Sequence, residues 1–221
     1  MIDFTKLKER EPVLDTVERV SEMCFGLFMA LTFVGAVSAA TAGDPNPGHT
    51  MLYAALGCNL AWGLVDAVMY LVRTITDRAK RLTLALAVRA APDTAAAAAV
   101  LHRELPPVAG QLLGEREVEA IRARLATHEL PAKPQLDARD AQGAVGIFFI
   151  VVLATFPVAL PFVLLDDMKL ALLVSRLLTF VMLFGGGYAL GAHAGYPGWK
   201  AGASLLVLGV CLTVAIIALG G

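Results

Sequence analysis

Three ionisable residues stand inside long apolar stretches of this 221-residue sequence: Glu22, Asp66 and Arg176. A charged side chain in the hydrocarbon of a bilayer is costly, so each is a candidate functional group if its stretch spans a membrane. Asp66 has the richest surroundings. A run of residues at steps of three and four shares one helix face with it: Asn59, Trp62, Met69 and Arg73.

A second stripe of possible ligands occurs in the first apolar stretch, where Glu22, Met29 and Thr32 share a face and Glu18 lies one turn below. Two adjacent helices would thus offer carboxylate, amide and thioether groups. Hard oxygens supply charge and soft sulfur selects against magnesium and calcium, so this mixture suits a divalent transition metal. We expect Glu22, Asp66, Met69, Asn59 and Met29 to form that metal site.

Simpler interpretations of the same residues remain open. Glu22 lies near one end of its stretch, where its side chain can extend toward water, and methionines often serve only as packing. Asp66 can instead pair with Arg176 as a buried ion pair that holds helices in register. Arg176 repels cations, so in a transport route it would act as a structural or gating charge that neutralises the empty site.

A weaker metal site is indicated in the polar segment, where Glu115 and Glu119 are one turn apart and Glu104 is a further donor. The alternative is a solvated helix face with Glu-to-Arg pairs, Glu115/Arg122 and Glu119/Arg122. No nucleophile triad, Cys-x-x-Cys pair or glycine-rich phosphate loop occurs, so we expect neither an enzyme nor a resident cofactor.

The composition predicts an integral membrane protein. The chain is 57% hydrophobic and 17% charged, with a mean hydropathy of +0.69, whereas soluble domains carry about 25% charged residues. A net charge of −1 argues against a nucleic-acid partner, which would call for a clustered basic surface. The charged N-terminus has no early apolar core, so no removable signal peptide is expected.

Five stretches approach the roughly 20 apolar residues that cross a bilayer as a helix. They run over residues 20–42, 51–72, 144–165, 170–190 and 201–219. The joints carry turn-forming residues, at Asp44-Pro45-Asn46-Pro47-Gly48, at residues 166–169 and at residues 193–200, where Tyr196 and Trp199 suit the headgroup level. The predicted fold is all-α, with five transmembrane helices.

The sequence divides into an N-terminal arm (1–19), a hairpin of two spans (20–76), a polar helical segment (77–140) and three further spans (141–221). The polar segment reads as short helices broken at Ala91-Pro92-Asp93 and Pro106-Pro107, with Asp93 as an N-cap and an amphipathic stretch from Glu115 to Glu129. Basic residues flank the first span, the second span and the polar segment: Lys6, Lys8, Arg10, Arg19, Arg73, Arg78, Lys80, Arg81, Arg89 and Arg139. The positive-inside rule then places the N-terminus and the helical segment in the cytoplasm and the C-terminus outside.

Several short stretches of the second half follow one another in a distinctive order: Phe156-Pro157-Val158-Ala159-Leu160-Pro161-Phe162, residues 171–175, Leu183-Phe184, Gly187-Tyr188, Gly191 and Pro197-Gly198-Trp199. In order and spacing they resemble the vacuolar iron transporter family. Val20-Ser21-Glu22 is similar to that family's Val-Ser-Asp stretch, so Glu22 takes the place of its pore carboxylate. Asn59 stands near the family's second-span glutamate, with Asp66 and Met69 shifted along the helix.

The resemblance implies a homodimeric transporter that moves Fe²⁺ or Mn²⁺ out of the cytoplasm in exchange for protons. It also implies a divergent bacterial-type member in the inner membrane, whose partners are lipid, metal ions and a second copy of the chain. The cytoplasmic metal site of the family is reduced here to Glu104, Glu115, Glu117 and Glu119. The alternative is a non-transporting membrane protein on the same fold, with a structural Asp66/Arg176 pair and a scaffold or regulatory helical segment.

Overall fold

The computed structural model of the chain describes residues 14–40, 47–105 and 113–219. Those residues are helical with short joints, and no strand occurs among them. The helices are α1 (Thr16–Ala40), α2 (Pro47–Ala90), α3 (Thr94–Glu104), α4 (Glu115–Thr127), α5 (Ala138–Ala159), α6 (Pro161–Leu164), α7 (Met168–His193) and α8 (Gly198–Ala218). Five candidate spans are long and apolar enough to cross a membrane, carried by α1, α2, α5 with α6, α7 and α8. The predicted all-α membrane fold is confirmed.

The chain forms two compact units. The membrane unit comprises residues 1–70 and 141–221, and the helical unit comprises residues 71–140. The helical unit begins at Leu71, six residues before the boundary at residue 77 that the sequence suggested. The predicted breaks at Pro106-Pro107 and at residues 44–46, and the basic residues Lys6, Lys8 and Arg10, lie outside the described residues.

The helix that carries the second span does not end with the apolar run near Val72, because α2 continues without interruption to Ala90. Residues 73–90 contain neither proline nor glycine and consist largely of good helix formers, so nothing local stops the helix. The predicted break at Ala91-Pro92-Asp93 is confirmed. Asp93 caps α3 as expected, since its side chain accepts a hydrogen bond of 2.7 Å from the Ala96 N–H.

The helical unit has a small core of its own. Val88 of α2, Ala97 and Leu101 of α3 and Val118 of α4 are buried together. Ile121 and Leu125 of α4 pack against them, so the amphipathic face predicted for this helix is the one that it buries.

Helix α1 begins at a capping box, and its first residue, Thr16, lies four residues before the predicted start of the span. The Glu18 N–H donates to Asp15 Oδ1 at 2.7 Å, and the Asp15 N–H donates to Glu18 Oε2 at 2.9 Å. These reciprocal bonds satisfy N–H groups that the first turn leaves without helical partners. The Glu18 carboxylate is therefore used in capping the N-terminus of α1.

The third span is interrupted near its end. Pro157 lies inside α5, and Pro161 starts the single turn of α6, because a proline has no N–H for the helical ladder. The Val158 carbonyl accepts a hydrogen bond of 2.8 Å from the buried Ser175 hydroxyl of α7. A neighbouring helix thus satisfies backbone that the break releases in an apolar environment.

Helices α7 and α8 pack at backbone distance through two Gly-x-x-x-Gly pairs, Gly187 with Gly191 and Gly198 with Gly202. A Cβ on Gly187 would lie 2.7 Å from the Ala201 carbonyl oxygen, and one on Gly202 would lie 2.7 Å from the Phe184 carbonyl oxygen. Small residues in membranes allow this approach, since packing rather than hydrophobicity drives association there. The joint predicted before α8 is confirmed, with Gly195 at a φ of 71°.

Candidate ion-binding site in the membrane unit

One shared apolar cluster and one ring contact determine how α1 and α2 face each other. Val34 and Met51 are buried in one apolar cluster. Farther along, the rings of Phe25 and Trp62 meet edge to face with centroids 6.5 Å apart. From the cluster to the ring contact, the chain position moves back by nine residues along α1, from Val34 to Phe25, and forward by eleven along α2, from Met51 to Trp62. The two helices therefore run antiparallel.

The same register brings Glu22 and Asp66 to one depth. Glu22 precedes Phe25 by three residues, and Asp66 follows Trp62 by four, so each carboxylate lies one turn from the ring contact, on the same face and toward the same end. Both residues are half-buried, and Asp66 Oδ2 is fully buried. The two carboxylates that the sequence predicted as ligands thus occupy one layer of the membrane unit.

The layer on the other side of the aromatic pair contains Met29 and Asn59. Asn59 is buried, and its Nδ2 donates to the Thr155 hydroxyl of α5, which in turn donates to the Val152 carbonyl oxygen at 2.9 Å. Asn59 therefore ties α2 to α5 through its nitrogen, and its oxygen takes no part in that bond. Met29 is half-buried.

Met69 lies one turn beyond Asp66 on the open side of α2, with 47% of its surface exposed. Trp62 and Phe25 are exposed to a similar extent, 42% and 43%. The face that carries the two carboxylates is therefore at the edge of the single chain. Thr32, on the first-span stripe, spends its hydroxyl locally by donating to the Met29 carbonyl oxygen at 2.8 Å.

Arg176 is at a different depth from Asp66. The Asn59–Thr155 bond and the Ser175–Val158 bond relate both helices to α5. Arg176 is at nearly the depth of Val158, because it follows Ser175 directly. Asp66 lies two helical turns beyond Asn59, in the direction along α5 that leads from Thr155 away from Val158. At 1.5 Å of rise per residue, the backbone positions of the two residues are about 14 Å apart along the helices. Among the described residues, Arg176 and Asp66 do not form the ion pair that the sequence allowed as the structural alternative.

The predicted glutamates of the helical unit have other roles. Glu119 accepts hydrogen bonds from the Thr94 hydroxyl at 2.6 Å and from Arg122 Nη1 at 3.1 Å. These two bonds lower the pKa of Glu119. Glu104 pairs with Arg103 at 3.0 Å, and Glu115 is exposed in the first turn of α4.

The described part of the chain contains no group of three or more His, Cys, Asp or Glu side chains that could hold a metal ion. The weak site predicted from Glu104, Glu115 and Glu119 is therefore not assembled there. The Glu119/Arg122 pair that the sequence offered as the alternative is formed, and Arg122 takes Glu119 rather than Glu115.

Sequence reasoning missed the best-connected ionic contact of the helical unit. Arg78 binds Asp140 with both ends of its guanidinium, at 2.7 and 2.6 Å. The Asp137 N–H donates to the same carboxylate at 2.6 Å, and only 6% of the Asp140 side chain is exposed. This clamp joins the extension of α2 to the start of α5. The acidic pair Asp137-x-x-Asp140 before an apolar run was its only local signal.

Comparisons with known proteins found no relative of this chain. No protein-family model matches the sequence, and no curated protein matches it. The findings on the molecule itself, five apolar spans and one layer with two carboxylates, are therefore what a functional proposal must rest on.

Proposed function

We propose that the protein transports a divalent transition metal ion, Fe²⁺ or Mn²⁺, out of the cytoplasm, with Glu22 and Asp66 as the ion-binding carboxylates. The observation that supports this is the Phe25–Trp62 contact, whose register sets both carboxylates in one layer of an apolar bundle. Ionisable side chains at such depth are costly, and an ion pathway gives them a purpose.

The charges of this layer match those of the proposed cargo. Two carboxylates neutralise one M²⁺ ion, and a thioether from Met29 or Met69 favours a transition metal over Mg²⁺ or Ca²⁺. When the ion leaves, each carboxylate takes up one proton, so the empty site is also neutral. Exchange of two protons for one M²⁺ moves no net charge, which makes proton antiport the economical mechanism.

The small number of acidic ligands suits a transported ion rather than a resident one. The described residues hold no group of three or more strong donors, whereas structural metal sites are closed by a full set of protein ligands. A transport site must bind strongly enough for entry and weakly enough for release.

We also propose a homodimer in which a second copy covers the open face of this layer. Phe25, Trp62 and Met69 are each more than 40% exposed beside the carboxylates. Intramembrane carboxylates normally face protein or a water-filled cavity rather than lipid. A second copy would shield this face and bring a second pair of carboxylates close to it.

Metal uptake into proteoliposomes tests the proposal. Glu22→Gln and Asp66→Asn each keep the side-chain shape but remove one charge, so we expect each to reduce Mn²⁺ or Fe²⁺ flux at least tenfold, with coupled proton movement lost in parallel. Asp166→Asn, in the exposed joint before α7, is the matched control and should transport like the unmodified protein. Unchanged flux in a folded Glu22→Gln/Asp66→Asn double variant would refute the mechanism.

The second candidate is a scaffold or regulator that acts through the helical unit. The specific observation in its favour is that residues 71–140 form a compact unit with its own buried cluster. Deletion of Asp93 to Glu129 separates the two candidates. Preserved flux after the deletion assigns the unit a role outside transport, whereas loss of flux with the spans intact makes it part of the transporter.

A further inference from the structure

A cavity of about 280 Å³ opens between the extension of α2 and α3 in the helical unit. Its walls are mainly apolar, from Leu84, Ala87 and Val100, and its polar residues include Lys80, Arg103 and Glu104. The volume is just below the usual range of small-molecule sites. A small headgroup-sized ligand therefore fits it better than a large one.

The cationic groups of this cavity have unused hydrogen-bond donors. Arg103 Nε donates to Glu104 Oε1 at 3.0 Å, which is its one partner in the described ranges. A guanidinium has five N–H donors, so four remain. Within those ranges the Lys80 ammonium has neither an ion pair nor a hydrogen bond. The cavity thus offers a net positive charge and donors that match an oxyanion such as a phosphate.

The position of the cavity along α2 points to the membrane surface. Val72 ends the apolar run of this helix, and Arg73 is the first cation after it. Thr76, at the rim of the cavity, is about 6 Å beyond Val72, and Lys80 is about 12 Å beyond it. The headgroup region on each side of a bilayer is about 5–8 Å thick. Tilt shortens these depths, and a lysine side chain can reach back toward the interface.

From these observations we infer that the cavity binds the phosphate of an anionic amphiphile, with phosphatidylglycerol-type lipid as the representative ligand. Lys80 and Arg103 bind the phosphate oxygens, and the part of the cavity farther along α2, away from the membrane, receives the headgroup glycerol. This site is separate from the proposed ion-binding layer and does not depend on metal transport.

Lipid binding to the full-length protein in nanodiscs tests this inference. The probes are phosphatidylglycerol against phosphatidylcholine, followed by glycerol 3-phosphate and inorganic phosphate added to phosphatidylcholine nanodiscs. Lys80→Gln/Arg103→Gln removes the two cations of the cavity. Arg89→Gln/Arg116→Gln removes two exposed cations elsewhere in the same unit and is the charge-matched control.

We expect the unmodified protein to bind phosphatidylglycerol at least tenfold more tightly than phosphatidylcholine, since two basic residues near a membrane surface both favour an anionic headgroup. The cavity variant should lose this preference and the control should keep it. Ala87→Trp, which fills the cavity without changing charge, should also weaken binding. Equivalent binding of soluble glycerol 3-phosphate would retain the phosphate site but assign its ligand to the aqueous phase.

Two results would overturn the inference. One is an equal affinity for the two lipids with no binding of the soluble phosphates. The other is a preference for phosphatidylglycerol that survives both the double charge variant and Ala87→Trp, because the lipid would then bind elsewhere.

Discussion

The roles of individual polar residues in this protein depend on the side chains that contact them. Asn59 and Glu119 were both candidate metal ligands, and each is engaged by a threonine, Thr155 and Thr94 respectively. Glu22 and Asp66 instead lie in one layer of the membrane unit, each one turn from the Phe25–Trp62 contact. A ligand set is therefore decided by neighbours as much as by residue type.

Glu119 should make the stability of the protein sensitive to acid. Its pKa lies below the ordinary 4.5, so its bonds to Thr94 and Arg122 stabilise the fold fully above pH 4.5. That stabilisation is lost as the pH falls through the lowered pKa. The unfolding temperature of Glu119→Gln should therefore be lower than that of the unmodified protein at pH 7, and the difference should be smaller at pH 3.

The control for this prediction is Glu129→Gln, an exposed carboxylate outside α4. Its unfolding temperature should follow the unmodified protein at both pH values. A gap for Glu119→Gln that stays constant with pH would show that the hydrogen bonds do not depend on the charge.

At the scale of elements, helix breaks at proline and capping residues were predicted correctly, whereas the continuation of a helix from apolar into charged sequence was not. Prolines and aspartates end α2 at Ala90 and start α3 at Thr94. The continuity of α2 through residues 73–90 went unpredicted, since a change from apolar to charged residues marks a change of solvent rather than a helix end. The α7–α8 contact depends on backbone proximity at glycines, which only the fold reveals.

Two glycines of α7 should respond in opposite directions to the same substitution. Gly187→Ala puts a Cβ against the backbone of α8, at 2.7 Å from the Ala201 carbonyl oxygen, whereas a Cβ on Gly185 meets nothing within 4 Å. We expect Gly187→Ala to lower the unfolding free energy by about 1–3 kcal/mol through overpacking. Gly185→Ala should be neutral or stabilising by up to about 1 kcal/mol through helix propensity.

Unfolding in detergent with increasing denaturant measures both variants. Equal effects of the two substitutions would mean that α7 and α8 are not in backbone contact. The comparison removes the propensity term, since both glycines lie inside one helix.

At the scale of the whole molecule, we predict that the five candidate spans put residues 14 and 219 on opposite sides of a membrane. The distribution of lysine and arginine predicts that the helical unit and the α7–α8 joint share the cytoplasmic side. The α6–α7 joint, with Asp166 and Asp167, is then external. This orientation also sets the direction of the proposed transport, from the side of the helical unit outward.

Cysteine labelling of membrane vesicles checks the orientation. Cys24, Cys58 and Cys211 are the native cysteines, and a variant with alanine at all three provides the background. A single cysteine at Ala132 or Ala194 should react with a membrane-impermeant maleimide only in inside-out vesicles, and one at Asp166 only in right-side-out vesicles. Labelling of Ala132→Cys and Asp166→Cys from the same side would contradict the topology.

The amino-acid sequence by itself determined the membrane class, the five spans, the breaks at residues 91–93 and within residues 193–200, and the capping by Asp93. These follow from hydropathy and short-range hydrogen bonding, which need only neighbours along the chain. Only the tertiary structure decided that Glu22 and Asp66 lie at one depth and that Arg176 is about 14 Å away along the helices. It also decided that Arg78 binds Asp140. Depth and partner depend on how helices distant in sequence pack, and a ring contact such as Phe25–Trp62 leaves no periodic signature in either helix.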